Sequence, residues 1–534
     1  MVASPEATAK RIQVLIVGAG PTGLMLAALL HRQGVSFRIV DKNAGPAKES
    51  RALGIQARTL ELFHNLGIID EFLAAGVRTM GATIYVDGVK RAEIDMTDMA
   101  RPDTPYPYLF MLSQAETERI LLKDLRARGI EVERKTSIGK FEQDREKVTA
   151  TLEGPSGAET RTADYIVGCD GAHSEVRKQL GLPFEGGSYA SEFVMADTRV
   201  KWDLPLDRLM AFVNPGSLGV LFPLQHSRLS RVLSIRQLEK SETEPATEAT
   251  TSALATLEEI ERAFNLASHQ NAKLVDPEWV TKFHVHHRSV RQMRVARAFL
   301  AGDAGHIHSP VGAQGMNTGL QDAANLAWKL SLVAKGEADG SLLETYHSER
   351  WPIAQHLLNF TDRAFALLTT KNETLIAIRS FAMPLAAKVL MAFPAGRRRI
   401  FRFISQLAIR YHESEAAREK LSATASEKFK RTVRTGHRAP NARFDGDHQL
   451  FDAMKGFGFN FLIFSQEALA SDERTTVQAA LSKAAVPGAT RAGYVWLARE
   501  EAPEAFERYG VDGQAAFLIR PDWYVGYRTD EIPT

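Results

Sequence analysis

"VLIVGAGPTGLMLAALLHRQGVSFRIVDK", Val14 to Lys42, is the stretch whose reading decides the fold. Four apolar residues, Val14 to Val17, read as a buried strand, and Gly18, Gly20 and Gly23 fit G-x-G-x-x-G. Leu24 to Leu30 begin an apolar helical run, and a second strand, Phe37 to Val40, ends on Asp41. Each position has a physical job. Gly18 permits a tight strand-to-helix turn, Gly20 lets the backbone approach a pyrophosphate, and Gly23 lets the helix pack on the sheet. Pro21 opens the helix, and the free N–H groups from Thr22 onward point at the phosphates. Asp41, with Lys42 beside it, stands where a carboxylate accepts from ribose hydroxyls. A strand before, a helix after and an acid about 20 residues on predict a dinucleotide site in a Rossmann-like α/β unit, against the alternative of a tight turn in an ordinary α/β fold. The motif does not distinguish NAD, NADP and FAD.

Composition narrows the class. At 534 residues the chain is long enough for two or three domains. With 44% hydrophobic and 24% charged residues it has the texture of an ordinary globular protein. Its 66 basic residues against 64 acidic ones give no global reason to expect nucleic acid or an acidic partner. The single cysteine, Cys169, excludes an intrachain disulfide and a cysteine-cluster metal site, so no metal is expected and a cytoplasmic setting is. The leading MVASPEATAKR carries no signal-type apolar run, and no integral membrane segment is expected, since no apolar stretch approaches the ~20 residues that span a bilayer.

The chain divides by texture. Residues 10–183 form the first part of a nucleotide-binding domain, with a helical period across 111–129. Residues 184–290 alternate in the manner of strands ("EFVMADTRVKW", "RLMAFVNPGSLGVLFPL") and read as an inserted β-sheet domain. Residues 291–370 return to strand, Gly-rich loop and long helix, the second part of the nucleotide domain. A helical connection covers 371–435 and a mixed unit covers 436–534.

Two further motifs carry a resemblance. In "ADYIVGCDGAHSEVRKQLG", 163–181, a strand delivers Asp170 and Gly171 to a loop, and Ser174 and Arg177 enter a helix. In "FLAGDAGHIHSPVGAQGMNTGLQDAANLAWKL", 299–330, Gly302, Asp303, Ala304, His306 and Pro310 match G-D-A-x-H-x-x-x-P. The chain thereby resembles the group A flavoprotein monooxygenases, the aromatic hydroxylases that include para-hydroxybenzoate hydroxylase and phenol hydroxylase. The resemblance implies that Gly18 to Gly23 hold the ADP half of FAD, that Asp170 lies near FAD and the nicotinamide pyrophosphate, and that Asp303 binds the ribityl chain. It implies Pro310 beside the isoalloxazine ring and Arg51, in "SRALGIQARTLELF", near the flavin, the two residues assigned to the catalytic centre. Gln114 matches a flavin-contacting glutamine, and Gly312, Gly315, Met316 and Asn317 lead into a helix whose N–H groups can stabilise negative charge on reduced flavin. Taken alone, Arg58 and Gln114 read better as a solvated helix face.

One departure stands out. Phenol hydroxylase-like members carry a phenol-deprotonating acid where this chain has Leu53. His306 and His308 are candidates by location only and read better as structural hydrogen-bonding histidines. "FLIRPDWYVGYR", 517–528, resembles the thioredoxin-like domain appended to phenol and polyketide hydroxylases, but without cysteine this unit is structural or an interaction surface. The arginine-rich "FPAGRRRIFRFISQLAIRY", 393–411, reads as a helix packed on its own protein with a solvated basic edge.

The resemblance implies that transiently bound NADPH or NADH reduces FAD, O2 adds at flavin C4a, and the hydroperoxide transfers OH to a phenolic or polycyclic ring. The substrate is expected between the flavin near Pro310 and the sheet, under Phe212, Val220 and Phe222, residues that read equally well as plain sheet core. Baeyer-Villiger, epoxidation or dehydrogenation chemistry on the same fold remains open, as does a non-catalytic flavoprotein that binds a partner. The resemblance allows a homodimer.

Overall fold

The structure, a computed structural model, describes residues 12–47, 52–79, 81–95, 103–224, 229–237, 255–309, 312–370, 372–378, 383–411, 414–484 and 486–532. The apolar run at its start forms the strand Ile12–Val17, paired in parallel with Phe37–Asp41 on one side and Gly157–Gly168 on the other. Strand Ala298–Leu300 adds in parallel beyond Gly157–Gly168, with Ile166 opposite Ala298 and Gly168 opposite Leu300. Burial of both faces explains the unbroken aliphatic texture of these strands. Helix Pro21–Arg32 is buried from Gly23 to Leu30 and packs on the long helix Gly315–Ala334, itself buried over most of its length.

A second, eight-stranded sheet runs in the order His306–Ile307, Lys273–Ser289, Glu185–Lys201, Ser230–Gln237, Ser217–Pro223, Leu209–Asn214, Gly81–Val86, Val89–Asp95. It draws a hairpin from 81–95, well upstream of 184–290. Strand Gly81–Val86 pairs in parallel with Leu209–Asn214, covering an edge that would otherwise present unpaired backbone groups. Within 184–290 there is also a helix, Leu257–Ser268, which a reading of that region as strand alone misses. Its signal was local: Thr256 Oγ1 accepts from Glu259 N at 3.2 Å and Glu259 accepts from Thr256 N at 2.9 Å, a capping box.

The helix decides which side of the sheet is which. Met210, Phe212, Leu221, Val232 and Val194 pack beneath Ile260 and Phe264 on one face. Phe193, Val213, Leu218, Leu233, Ile235 and Phe283 pack on the other with Phe365 of helix Glu344–Thr369 and with Val220. Phe212, expected over the substrate, therefore belongs to the core under the 257–268 helix, stacked on Tyr85 at 4.9 Å, on the opposite face from Val220. Period-two alternation separates the faces within one strand, but grouping Phe212 with Val220 required the register between two strands, where Phe212 stands opposite Gly219.

The C-terminal unit is a five-stranded sheet ordered Arg418–Lys420, Val525–Thr529, Ala515–Ile519, Asn460–Ser465, Gly493–Ala498. It shares core with the nucleotide domain, where Phe459 meets Trp328 edge-on at 5.7 Å. Buried charges cross the same boundary. Arg520 contacts Glu349 at 2.7 and 3.0 Å, and Arg438 binds Glu61 at 2.7 Å through Nε. Helix Pro394–Ile404 buries Gly396 and Phe401 and binds Asp103 through Arg398, while Arg397 stays exposed, so the basic stretch does pack on its own protein. Among the described residues no helix is long and apolar enough to cross a membrane.

Candidate active site

Three loops meet at the C-terminal ends of the parallel strands. At Gly18 the backbone takes φ +101°, and a Cβ there would lie 2.4 Å from the Cys169 carbonyl oxygen. At Gly23 a Cβ would lie 2.0 Å from the Gly18 oxygen. These two glycines are demanded by the protein's own backbone. Gly20 differs: a Cβ there would meet nothing within 4 Å, because the position opens into a cleft. Gly20 caps helix Pro21–Arg32 without any side-chain hydrogen bond, so the first-turn N–H groups are not occupied by a side-chain cap.

That cleft, about 840 Å³ counting its solvent mouth, is lined by Gly18, Gly20, Asp41, Lys42, Gln114, Glu118 and Asp170 among others. Asp41 accepts from Ala19 N and Asn43 N, both at 2.7 Å, one bond to each carboxylate oxygen. The acid thus holds the Gly-rich turn in shape and still offers lone pairs to the cleft. Asp170 Oδ2 accepts from Glu175 N at 2.8 Å, whereas its Oδ1 is closed off and has no partner, and burial raises the Asp170 pKa. Gln114 Nε2 donates to Glu118 Oε1 at 3.0 Å, and Ala47 N donates to the other oxygen at 3.1 Å. Glu118, whose pKa burial raises, is a cleft residue that motif reading passed over. The signal available for it was its place one helical turn after Gln114.

The third loop is tied to the first two. A Cβ on Gly302, where φ is +60°, would lie 2.6 Å from Thr22 Oγ1, and one on Gly319 2.5 Å from the same atom. Thr22 therefore packs between the Gly302 turn and helix Gly315–Ala334. Arg177 donates to Ala304 O at 3.1 Å and Ala172 O at 2.8 Å, binding the Asp170 loop to the Asp303 loop. Asp303 sits exposed in the single turn Gly302–Ala304. His306 is buried with Nε2 at 2.8 Å from Asp322, which also accepts from Gly302 N at 3.0 Å and from Arg350 Nε at 2.7 Å. His306 accordingly holds the loop.

Helix Gly315–Ala334 begins without a side-chain cap, and Gly312 and Ala313 before it have φ of +87° and +52°. Asn317 is fully buried: Oδ1 accepts from Gln56 N, and Nδ2 donates to Gly54 O and Ala313 O, each at 2.9 Å. Its carboxamide clamps residues 54–56 to the turn, so its own backbone is what remains for a ligand. Gly312 is exposed, and Gly315 and Met316 are half-buried at the helix start. Leu53 is buried and apolar, its carbonyl taken by Leu112 N at 2.8 Å. Arg51 and Pro310 lie outside the described residues.

Arg58 corrects the expectation of a solvated helix face. Helix Ala57–Leu66 is buried on all sides because the C-terminal unit covers it. Arg58 binds Glu61 at 3.0 Å and the Asp522 carbonyl, and lies 5.1 Å from the Tyr524 ring.

An uncapped helix start and a cleft that a Gly20 side chain would fill are the N–H donors and the space a dinucleotide pyrophosphate requires. A family model described as "FAD binding domain" matches residues 11–361. The chain belongs to this FAD-binding family. Within it, the chain is 37% identical over 407 residues to 6-methylpretetramide 4-monooxygenase of Streptomyces rimosus, covering 75% of this chain and 70% of that one. It is 31% identical over 532 residues to the 12-dehydrotetracycline 5-monooxygenase/anhydrotetracycline 6-monooxygenase of the same species, covering 96% and 95%. Among solved structures, a ternary complex of aklavinone-11 hydroxylase with FAD and aklavinone superposes with a TM-score of 0.74 at 26% identity, covering 97% of this chain and 96% of that one. This FAD-binding protein is an oxidoreductase, a flavin-dependent monooxygenase.

Proposed function

We propose that the protein hydroxylates a phenolic or polycyclic aromatic substrate, using NADPH or NADH and O2. The observation that carries the reading is the end-to-end likeness to tetracycline and aklavinone hydroxylases, joined here to an apolar face, with Val220, Phe193 and Phe283, on the sheet whose edge strand is His306–Ile307. Bound FAD supplies the electron transfer from nicotinamide to O2 and the oxygen delivered to the ring.

The chain supplies position and electrostatics. Gly18, Gly20 and the helix start at Pro21 and Thr22 receive the pyrophosphate, with Gly23 allowing the helix its place. Asp41 offers its remaining lone pairs to the adenosine ribose, with Lys42 at the rim. Asp170 lines the cleft beside Gln114 and Glu118. Asp303 holds the ribityl chain, and the uncapped N–H groups from Gly315 to Asn317 face the region of the flavin that gains negative charge. The family resemblance assigns Arg51 and Pro310, which lie outside the described residues, to the ring. The sheet order within 460–529, one parallel pair and two antiparallel ones, supports a thioredoxin-like reading of the C-terminal unit, which acts as a structural cover.

The test is anaerobic reduction of the yellow protein by NADPH with and without a panel of phenols and polycyclic aromatics. Acceleration of bleaching by one compound is expected. Equal bleaching with and without every compound would favour ungated flavin chemistry such as dehydrogenation. Asp303→Ala is expected to weaken FAD by roughly 10- to 100-fold, the loss of one hydrogen bond to a charged group. Full flavin occupancy after dialysis would remove Asp303 from the site.

A further inference from the structure

The hydroxylation proposed above works best on a ring whose hydroxyl has lost its proton, and Leu53 offers no carboxylate for that purpose. The structure holds one elsewhere. Between Ser188 and Glu192 the pairing of strand Glu185–Lys201 with Lys273–Ser289 shifts register, and Tyr189 sits in that irregularity. Its hydroxyl donates to Asp362 Oδ1, on helix Glu344–Thr369. Its ring lies 4.8 Å from the His287 ring and 4.2 Å from the Phe365 ring. His287 Nδ1 is 4.0 Å from Asp362 Oδ1, closed to solvent and without a hydrogen-bond partner.

The cluster adjoins the start of helix Gly315–Ala334. His308 lies against Gly315, where an added Cβ would be 3.3 Å from His308 Nε2, and it follows Ile307, which pairs with Arg288, the residue after His287. His308 Nδ1 pairs with Ser309 O at 2.8 Å, which leaves Nε2 as the acceptor nitrogen, closed to solvent and without a partner. A carboxylate with a donor holding one oxygen and a buried imidazole nitrogen without a hydrogen-bond partner 4.0 Å away is an unfinished polar site in an otherwise apolar wall.

We infer that Asp362 is the proton acceptor for the substrate hydroxyl, oriented by Tyr189. The inference rests on the aromatic hydroxylase reading. In the step, the substrate O–H bond breaks, the proton bonds to Asp362 Oδ2, and the electron pair stays on the substrate oxygen as phenolate. Nothing is oxidised or reduced, and the proton passes to water when the site next opens. Burial holds the His308 pKa down at about 4, so this imidazole stays neutral and cannot take the proton itself. Burial and the Asp362 hydrogen bond push the Tyr189 pKa up, so Tyr189 keeps its proton and goes on donating. Tyr189 from one strand and His287 from the next face Asp362. The rest of the packed face, Phe193, Phe283, Phe365 and Leu218, is apolar. Ser188 and His286, on the other side of the strands, bond to each other at 2.6 Å.

The test uses FAD-loaded protein and para-nitrophenol, whose phenol and phenolate spectra differ, below the compound's own pKa. Wild type is expected to bind the phenolate. Asp362→Asn should bind the neutral phenol, and its kcat for the phenol that best gates reduction should fall about 100-fold at neutral pH and recover as pH rises past that phenol's own pKa. Asp362→Glu should restore phenolate binding in part, and Tyr189→Phe should shift the same pH profile without abolishing binding. Retained flavin in each variant separates these effects from misfolding. An Asp362→Asn protein that binds phenolate and keeps the wild-type pH profile would overturn the assignment of Asp362 alone. A wild type that binds no member of the phenol panel would overturn the aromatic reading and this inference together.

Discussion

Gly20→Val is expected to fold and to purify without colour. Gly20 has φ −76° and ψ −174°, extended backbone that any residue adopts, and its Cβ position meets no protein atom within 4 Å. The added isopropyl group would enter the cleft lined by Asp41, Gln114 and Asp170, where the pyrophosphate must approach the helix start. Loss of that approach should weaken FAD by at least about 100-fold, roughly 3 kcal/mol. The flavin-to-protein absorbance ratio after gel filtration reads the loss, and the melt of the flavin-free protein checks the fold. The neighbouring glycines should behave in the opposite way. A side chain at Gly18 or Gly23 collides with backbone at 2.4 or 2.0 Å, so those variants should fail to fold before any question of binding arises. A Gly20→Val protein with full flavin would refute the reading of this turn as the pyrophosphate cradle.

Arg520→Ala is expected to be the most destabilising single truncation at the boundary between the nucleotide domain and the C-terminal unit. The guanidinium is buried, with Nη1 and Nη2 on the two Glu349 oxygens and Nε and Nη2 on Asp522 at 3.0 and 2.6 Å. Glu349 also takes Lys329 Nζ at 2.8 Å and Asn325 Nδ2 at 2.5 Å. Truncation leaves Glu349 and Asp522 short of their strongest partner in a dry interior, at a cost of about 3–5 kcal/mol. Urea or thermal unfolding measures it, and an unchanged midpoint would mean that water or a rearranged Lys329 replaces the guanidinium. The same network predicts acid sensitivity. Although burial works the other way, Arg520 and Lys329 hold the Glu349 pKa far below its ordinary value. A depressed native pKa stabilises the folded state above the unfolded pKa, about 4.3, and the stabilisation disappears progressively as pH falls below it. Arg520→Ala should lose much of that pH slope, because the group that depresses Glu349 is gone.

Arg58 and Glu61 mark where reading along the chain stops. On a helix, Arg and Glu three positions apart look like a solvated pair, yet both are buried, because Arg438, 377 positions beyond Glu61, binds Glu61 in the interior. The hairpin 81–95 is similar. Its alternation was open to reading, but its parallel partner 209–214 lies more than a hundred positions on, and no local rule selects that pairing. The Asp362 cluster joins residues from two strands and a helix, none within hydrogen-bonding reach of another along the chain.

The sequence by itself determined the strand-turn-helix at Gly18 to Gly23, the Asp170 and Asp303 loops and the family they announce. In each of these the residues that act together are contiguous, and spacing along the backbone sets their geometry. Only the tertiary structure decided that Phe212 turns away from Val220's face, that Arg58 is covered rather than solvated, and that Asp362 meets Tyr189 and His287. Those outcomes depend on which buried surface meets which, and that is settled by the whole packed core at once.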